Sequence, residues 1–592
     1  MRDLMAHRGP DGVGLVRDGC MVFAHRRLAV LDRSPGGAQP FRSADGRFSL
    51  VYNGEIYNDA ELRKELSGLG ERFSTTCDTE TLFAALRHWG TEALHKVRGM
   101  FAFGFFDSRT CTLLLARDPL GIKPLYWWRG TSQGRSQFVF ASEVPPILAH
   151  PDCPARPDWA AVSAYLTTAR ITTGERTLFE GIRTLEAGHL LRLDTREPEL
   201  VPQVQRWWQP GRQENDRGPA DARAVISDSV RRHLRADVPV CSLLSGGLDS
   251  SIIAAIAAPL HGSLQSFCAF EAGRTAGDGR ADDADAARLV AAAVGTRHAE
   301  AVVSPETFDA NWRTIVDSTA FPLATPNEIA ILEVARTLKR SGCTVTLSGE
   351  GADEIFGGYD RTLDPAAAFE GLVEADGIDR GSPEYAAFAA RHAIACAHWM
   401  PPADKAALLR PSIRKLANDD ELLWDSARSE FRAAAACPFD HPLRVHLRVL
   451  ASGNLGKLLR RLDSSTMLTS VEGRTPFADS SVAAWAESVP MNELFVASLS
   501  DPPLPPTQRT KRILRQTFAA DLPALAVERP KASFPLPFDA ALRRMIDHER
   551  ASPFLADVLE PLARDSLTDL NSPLPHWAWP AVNLALWGRR FV

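Results

Sequence analysis

The sequence predicts a strand-rich front third, then a parallel α/β unit with a helical C-terminal part. Three observations carry this. Short apolar runs such as Phe48-Ser-Leu-Val-Tyr52 and Cys111-Thr-Leu-Leu-Leu-Ala116 recur before Trp208. Beyond a polar segment, strand-like runs alternate with helix-like ones, as in a parallel sheet with crossover helices. From Pro365 to Leu459 the chain is rich in alanine and leucine and reads as helices.

Taken in order, Trp207-Trp208 closes the first pattern. Residues 209–219 are polar and punctuated by Pro and Gly, which reads as a linker. The expected domains are therefore 1–208 and 220–592. A helix is expected from Ala220 to His233, a strand over Val238–Leu244 and a helical run over Ile252–Ala258. Between the last two lies Ser245-Gly246-Gly247-Leu248-Asp249-Ser250-Ser251. A strand at Ser266–Phe270, a helix at Ala284–Val294 and a strand at Thr344–Leu347 follow. That last strand runs into Ser348-Gly349-Glu350-Gly351-Ala352-Asp353-Glu354. The tail tryptophans Trp577, Trp579 and Trp587 are expected to pack rather than bind.

The two glycine-rich segments carry the chemistry. Glycines let backbone N–H groups approach phosphate oxygens, and a helix N-terminus adds partial positive charge there. Asp249 would face the same phosphates, which requires a divalent cation between them. An ordinary Gly-turn is the plain alternative. Three acids within five residues at a second strand end weigh against it, because ligands of open parallel sheets bind at such ends. Asp249 and Asp353 are then the expected Mg2+ ligands, leaving Glu350 free for acid–base or electrostatic work. No Gly-Lys-Ser/Thr ending is present, which excludes a Walker-type kinase or GTPase loop. The first segment resembles the pyrophosphate loop of enzymes that cleave ATP to AMP and pyrophosphate.

Composition excludes other classes. Net charge is −6, which leaves no footprint for nucleic acid. No apolar stretch reaches the roughly twenty residues of a membrane span. Nine scattered cysteines without CxxC pairs read as reduced thiols of a cytoplasmic protein. Cys20, before Met-Val-Phe-Ala24, reads as a structural residue at a strand start.

Nearly the whole chain resembles the glutamine-dependent asparagine synthetases. Ser470-Val-Glu472 with Arg474-Thr-Pro476-Phe477-Ala-Asp479, and Arg529-Pro-Lys531-Ala-Ser-Phe534, match two blocks of that family. So do His7-Arg8-Gly9-Pro10-Asp11-Gly12, Tyr52-Asn53-Gly54-Glu55, Cys77-Asp78-Thr79-Glu80 and Ala116-Arg117-Asp118. The resemblance implies an α+β amidotransferase sandwich followed by an ATP-pyrophosphatase unit. It implies ATP and Mg2+ as cofactors, with adenine near Leu243 and Ala269. Ser245 to Ser251 would hold pyrophosphate, and Ser348 and Gly349 would line the nucleotide. Lys531 would be the catalytic cation and Glu350 the proton acceptor. Arg27 would hold the glutamine carboxylate and Asp78 its ammonium. Asn53 and Gly54 would form an oxyanion hole, with Glu55 beside them. Partners are small molecules: aspartate or another carboxylate, and glutamine or ammonia. A homodimer is the candidate assembly.

Three features depart from the family. It opens with Met followed by a nucleophilic Cys, whereas here the chain reads Met1-Arg-Asp-Leu-Met-Ala-His7. A start at an internal methionine is the favoured explanation, because the glutamine-pocket residues remain; use of free ammonia is the other. Without the nucleophile, glutaminase activity is expected to be near zero. Phe321-Pro322-Leu-Ala-Thr-Pro326 and Asp463-Ser464 also differ, and are expected to retune the carboxylate pocket. Glu350 favours the ammonia-using branch over β-lactam synthetases. A catalytically inactive regulatory paralogue is the reading from another class.

Overall fold

The computed structural model describes residues 1–211, 221–272, 283–498, 504–529, 538–569 and 573–592. The expected linker from 212 on and the Lys531 block therefore lie outside the described residues.

The front part is a sandwich. A six-stranded antiparallel sheet runs in the order Gln203–Arg206, His189–Asp194, Thr112–Arg117, Gly99–Asp107, Phe48–Ile56, Phe41–Arg42. Strand alternation sends Leu50, Tyr52, Phe103 and Phe105 to one face. There they meet Leu62, Leu82 and Leu86 of helices Asp59–Gly68 and Asp78–Trp89. Val51, Ala102, Phe106 and Leu115 point the other way, onto Trp127, Phe138 and Phe140 of a five-stranded sheet. A separate hairpin, Gly12–Asp18 with Met21–Arg27, adds Phe23 to this inner layer. Cys20 sits in the hairpin turn and is exposed. It directly precedes the strand Met21–Arg27, at a strand start as expected, but lies outside the core.

The second part carries a five-stranded, wholly parallel sheet. Its order is Arg297–Val303, Gln265–Glu271, Val240–Leu243, Val345–Leu347, Glu472–Arg474. In chain order this is 3-2-1-4-5, so the winding reverses between Val240–Leu243 and Val345–Leu347. The carboxyl ends of those two strands flank the crevice where such sheets bind ligands. Ile252, Ile253, Ala287 and Val290 cover one face. Trp312, Ile329, Leu332 and the tail cover the other. Trp579 and Trp587 are fully buried, with the Trp579 ring centroid 4.7 Å from that of Trp312 and the rings tilted by 34°, so the tail packs as expected. Helices from Asp360 to Met467 surround the crevice.

One cysteine expectation is corrected. Cys241 and Cys343 form a disulfide across 102 residues of chain, with Cα atoms 6.3 Å apart. Cys241 lies on one strand and Cys343 just before its parallel neighbour, so the sheet register brings them together. The other seven cysteines are free thiols.

A buried ionic seam joins the two parts. Arg8 contacts Asp463 at 2.9 Å, and Lys123 reaches Asp463 and Glu472 at 3.3 and 3.7 Å. Arg474 pairs with Glu472 at 2.9 Å and with Glu55 at 3.3 Å. Its Nη1 donates to the His233 and Arg235 carbonyls at 2.8 and 2.6 Å. Asp463 therefore serves this seam.

Candidate functional site

The strand Val240–Leu243 delivers the first loop into the crevice. Gly246 has φ +70°, and a Cβ there would lie 2.5 Å from Ala286. Only glycine lets the turn press against that helix. Gly247 begins helix Leu248–His261 without a side-chain cap, so its first N–H groups face the crevice. The second loop touches the first: a Cβ on Gly349 would come 3.0 Å from the Asp249 Cβ. Its position is fixed by Ser348, whose N–H donates to the Arg474 carbonyl at 2.8 Å.

These loops open into a cavity of ≈ 670 Å³. Leu243, Ser245, Gly247, Leu248, Asp249, Ser250 and Ala269 line it, as do Ser348, Gly349, Glu350 and Asp353. Two expected residues serve the loop instead. Gly246 packs backward, and Ser251 is buried with its Oγ donating to the Gly247 carbonyl at 2.7 Å.

The expected metal ligands converge on one point. The Lys511 ammonium touches Asp249 Oδ2 at 2.6 Å and Asp353 Oδ1 at 2.7 Å. Burial works against its charge, but the two carboxylates outweigh this and raise its pKa. Gly358 makes room, since a Cβ there would lie 1.8 Å from Asp353 Oδ1. Two carboxylates that share one ammonium are placed to share a hard cation, so these residues fit Mg2+. Arg529 adds positive charge to the wall; it pairs with Asp283 at 2.6 Å.

Glu350 is not free. Its carboxylate pairs with Arg461 of helix Leu455–Met467. Arg461 also donates to Thr325 Oγ1 at 3.1 Å, which brings the Phe321–Pro326 segment to the cavity wall.

A second cavity, of ≈ 150 Å³, lies in the front part. Arg27, Asn53, Gly54, Glu55 and Asp78 all line it. Asp78 accepts from Tyr52 Oη at 3.0 Å and from the Ile56 N–H at 2.9 Å. Burial outweighs these bonds and pushes its pKa up to about 6. The Asn53 side-chain N–H2 is buried without a hydrogen-bond partner, as suits a donor awaiting an oxyanion. Arg27 is partly committed: its Nη1 donates to the Ser34 carbonyl at 2.9 Å and its Nη2 to the Leu31 carbonyl at 3.2 Å. Glu55 faces this cavity and also Arg474; burial, then Asp78, pushes its pKa up. Cys77 is the cysteine on this lining, and burial and Asp78 hold its thiol protonated, with a pKa pushed up to about 12.

Sequence reasoning missed Lys511, Arg461 and the reach of Met467 and Glu472 into the second cavity. Lys511 sits at φ +47° beside an Arg, with no local motif to mark it.

The chain thus joins a parallel sheet with two glycine-rich loops at its switch point to a sandwich holding a polar cavity. Residues 1–208 match the family described as glutamine amidotransferase domain, and residues 221–570 match asparagine synthase. "Asparagine synthetase [glutamine-hydrolyzing] 1" of Bacillus subtilis is 32% identical, covering 91% of this chain and 83% of its own. A "Putative asparagine synthetase [glutamine-hydrolyzing]" of Mycobacterium bovis is 33% identical, covering 91% and 84%. "Amidase chyE" of Penicillium rubens is 30% identical over 60% of this chain and 54% of its own. The chain belongs to the asparagine synthase family. No helix among the described residues is long and apolar enough to cross a membrane.

Proposed function

We propose that the protein is a cytoplasmic carbon–nitrogen ligase that makes asparagine from aspartate and ATP, with glutamine or ammonia as nitrogen source. Residues 1–208 act as the glutamine-binding unit and 220–592 as the synthetase unit. The observation that carries this reading is the convergence of both strand-end loops on the Asp249–Lys511–Asp353 cluster. It is supported by a glutamine-type cavity whose wall includes Glu472 of the other unit.

In the first step an aspartate carboxylate oxygen attacks the α-phosphorus. A new P–O bond forms, the bond to the β-phosphate breaks, and pyrophosphate leaves with the electron pair. The N-terminal amides of helix Leu248–His261, with Lys511 and Arg529, offset the charge on pyrophosphate. Asp249 and Asp353 would hold Mg2+, which when bound neutralises phosphate charge. The family resemblance assigns Lys531, which lies outside the described residues, the role of a further cation for the α-phosphate. Ammonia then attacks the acyl carbon, a C–N bond forms, and AMP departs with its oxygen. Glu350, positioned by Arg461, accepts the proton released from nitrogen.

In the other cavity, Asp78 would meet the glutamine ammonium and Arg27 its carboxylate, while Asn53 with the Gly54 N–H would face its side-chain amide oxygen. The fungal relative named as an amidase favours a second reading, in which the same chemistry serves another carboxylate.

The test is pyrophosphate release from ATP and Mg2+ with aspartate, using ammonium or glutamine. Asparagine formed from ammonium supports the synthetase reading, and asparagine from glutamine supports coupling of the cavities. Absence of aspartate-dependent release with both nitrogen sources overturns the asparagine reading.

A further inference from the structure

Helix Leu455–Met467 forms one wall of the large cavity, presenting Lys457, Leu458, Arg461 and Leu462 to it. Three cations gather along this wall, and two are committed. Arg461 pairs with Glu350. Arg170, reaching across from the front part, pairs with Glu430 at 2.7 Å. Lys457 has no hydrogen bond or ion pair among the described residues.

The acids that face Lys457 have other partners. Glu354 accepts from Asn454 Nδ2 at 2.9 Å and from the Tyr359 hydroxyl. Glu328 Oε1 accepts from the backbone N–H groups of Ala324 and Thr325 at 2.7 and 3.1 Å. Lys457 is therefore left half-buried in the cavity wall without a contacting carboxylate among the described residues, and Glu354 and Glu328 act on it only at longer range. Burial, then Arg170 and Arg461, lowers its pKa to about 8. Holding an unpaired ammonium there is unfavourable unless an anion arrives to complete the pair.

Position separates this anion from the phosphates. Lys457 lies one helical turn before Arg461, about 6 Å along the wall. Arg170 lies further the same way, against Gly453. Phosphates belong at the opposite side, with the Ser245 loop, Lys511 and Arg529. A π-helical turn, Leu450–Asn454, precedes Lys457, and such turns frequently mark functional sites.

We propose that Lys457 seats a second anionic group of the acceptor, so that the synthetase unit selects dicarboxylic acids over monocarboxylic ones. This rests on reading the cavity as an acyl-adenylate site. One carboxylate reacts at the α-phosphate while the other rests on Lys457. Lys457 is a specificity residue, remote from the bonds that change.

Two measurements on the full chain test it. The first is protection of Lys457 from an amine-reactive label at about pH 8, read by mass spectrometry with ATP present. Succinate is expected to slow labelling at least fivefold and propionate to leave it unchanged. Equal protection by both, or by neither, overturns the proposal. The second compares aspartate with β-alanine, which is aspartate without its α-carboxylate. Lys457→Met is expected to raise KM for aspartate at least tenfold with KM for ATP unchanged, and Lys457→Arg to restore most of the loss. A Lys457→Met enzyme with the wild-type aspartate KM, or a wild type that prefers β-alanine, overturns it. If succinate protects Lys457 while wild type releases no pyrophosphate with aspartate, the dicarboxylate pocket stands and the asparagine reading falls.

Discussion

Replacing Arg474 by methionine tests the seam that joins the two units. Arg474 is fully buried and faces two carboxylates, Glu55 at 3.3 Å and Glu472 at 2.9 Å. Methionine keeps much of the volume but removes the charge. Removing one member of a buried ionic group costs about 3–5 kcal/mol, because the other charges stay buried without compensation. The His233 and Arg235 carbonyls each lose a charged donor, adding on the order of 1 kcal/mol apiece. Protonation sets the sign of the pH dependence. Burial and Asp78 already push the Glu55 pKa up, while Arg474 holds it down. Without Arg474 it rises further, so Glu55 takes up a proton more readily and the penalty shrinks in acid. Urea unfolding followed by tryptophan fluorescence should show the first transition of Arg474→Met weakened by about 5–7 kcal/mol near pH 8. The loss should be smaller near pH 5.5, and Glu55→Gln added to Arg474→Met should recover part of it. A variant within about 0.5 kcal/mol of wild type near pH 8 would refute the reasoning, as would a penalty equal at both pH values.

Asp78 should give two opposite pH responses. Its folded pKa of about 6 lies above the ordinary 3.8, so its stabilising contribution is complete below about 3.8 and is lost as pH rises through about 6. Asp78→Asn should remove that slope, worth about 3 kcal/mol, in unfolding measured from pH 4 to 7. Glutamine binding to wild type should instead tighten as pH rises through about 6, because the ionised carboxylate holds the ammonium; calorimetry showing a flat profile would count against this. Lys511→Met should make stability Mg2+-dependent, since Asp249 and Asp353 lose their shared ammonium; a loss of about 3–5 kcal/mol reversed by added Mg2+ is expected, and a melting temperature indifferent to Mg2+ would contradict it. Gly246→Ala should cost about 2–5 kcal/mol, combining left-handed backbone with overpacking on Ala286, and should abolish ATP binding; an unshifted melt would reject that account.

The parts of the site legible in the sequence are those whose chemistry is local. Ser245 to Ser251 and Ser348 to Asp353 could be read because glycine, serine and aspartate crowd into a turn at a strand end. Tyr52 to Glu55 and Cys77-Asp78 could be placed because their order along the chain survives. What escaped depends on the sheet and its cover. Lys511 lies 262 residues from Asp249, and nothing near it announces a carboxylate partner. Glu350 looked free because Arg461, 111 residues on, sits in an unremarkable helix. The Cys241–Cys343 bond needs the parallel pairing of strands that only the topology supplies. The ion pairs of Asp463 with Arg8 and Lys123 escaped for the same reason, because they join residues 455 and 340 positions apart.

The strand Glu472–Arg474 explains why the Ser-x-Glu-x-Arg block is spaced as it is. Residues two apart on a strand point the same way, so Glu472 and Arg474 both face the front unit, where each meets an oppositely charged side chain. The backbone of the same strand serves the other unit: the Arg474 carbonyl anchors the Ser348 N–H at the root of the nucleotide loop. Glu472 lines the cavity of the front unit, and Ser348 lines the large cavity of the second. Three residues thus support both sites at once. A shift of this strand that repositions Ser348 must also change the Glu55–Arg474 distance. A ligand at one cavity that moves this strand would be felt at the other, and such a dependence would run in both directions. On this argument Arg474→Met should weaken any effect of glutamine on the apparent affinity for ATP, beyond its effect on stability.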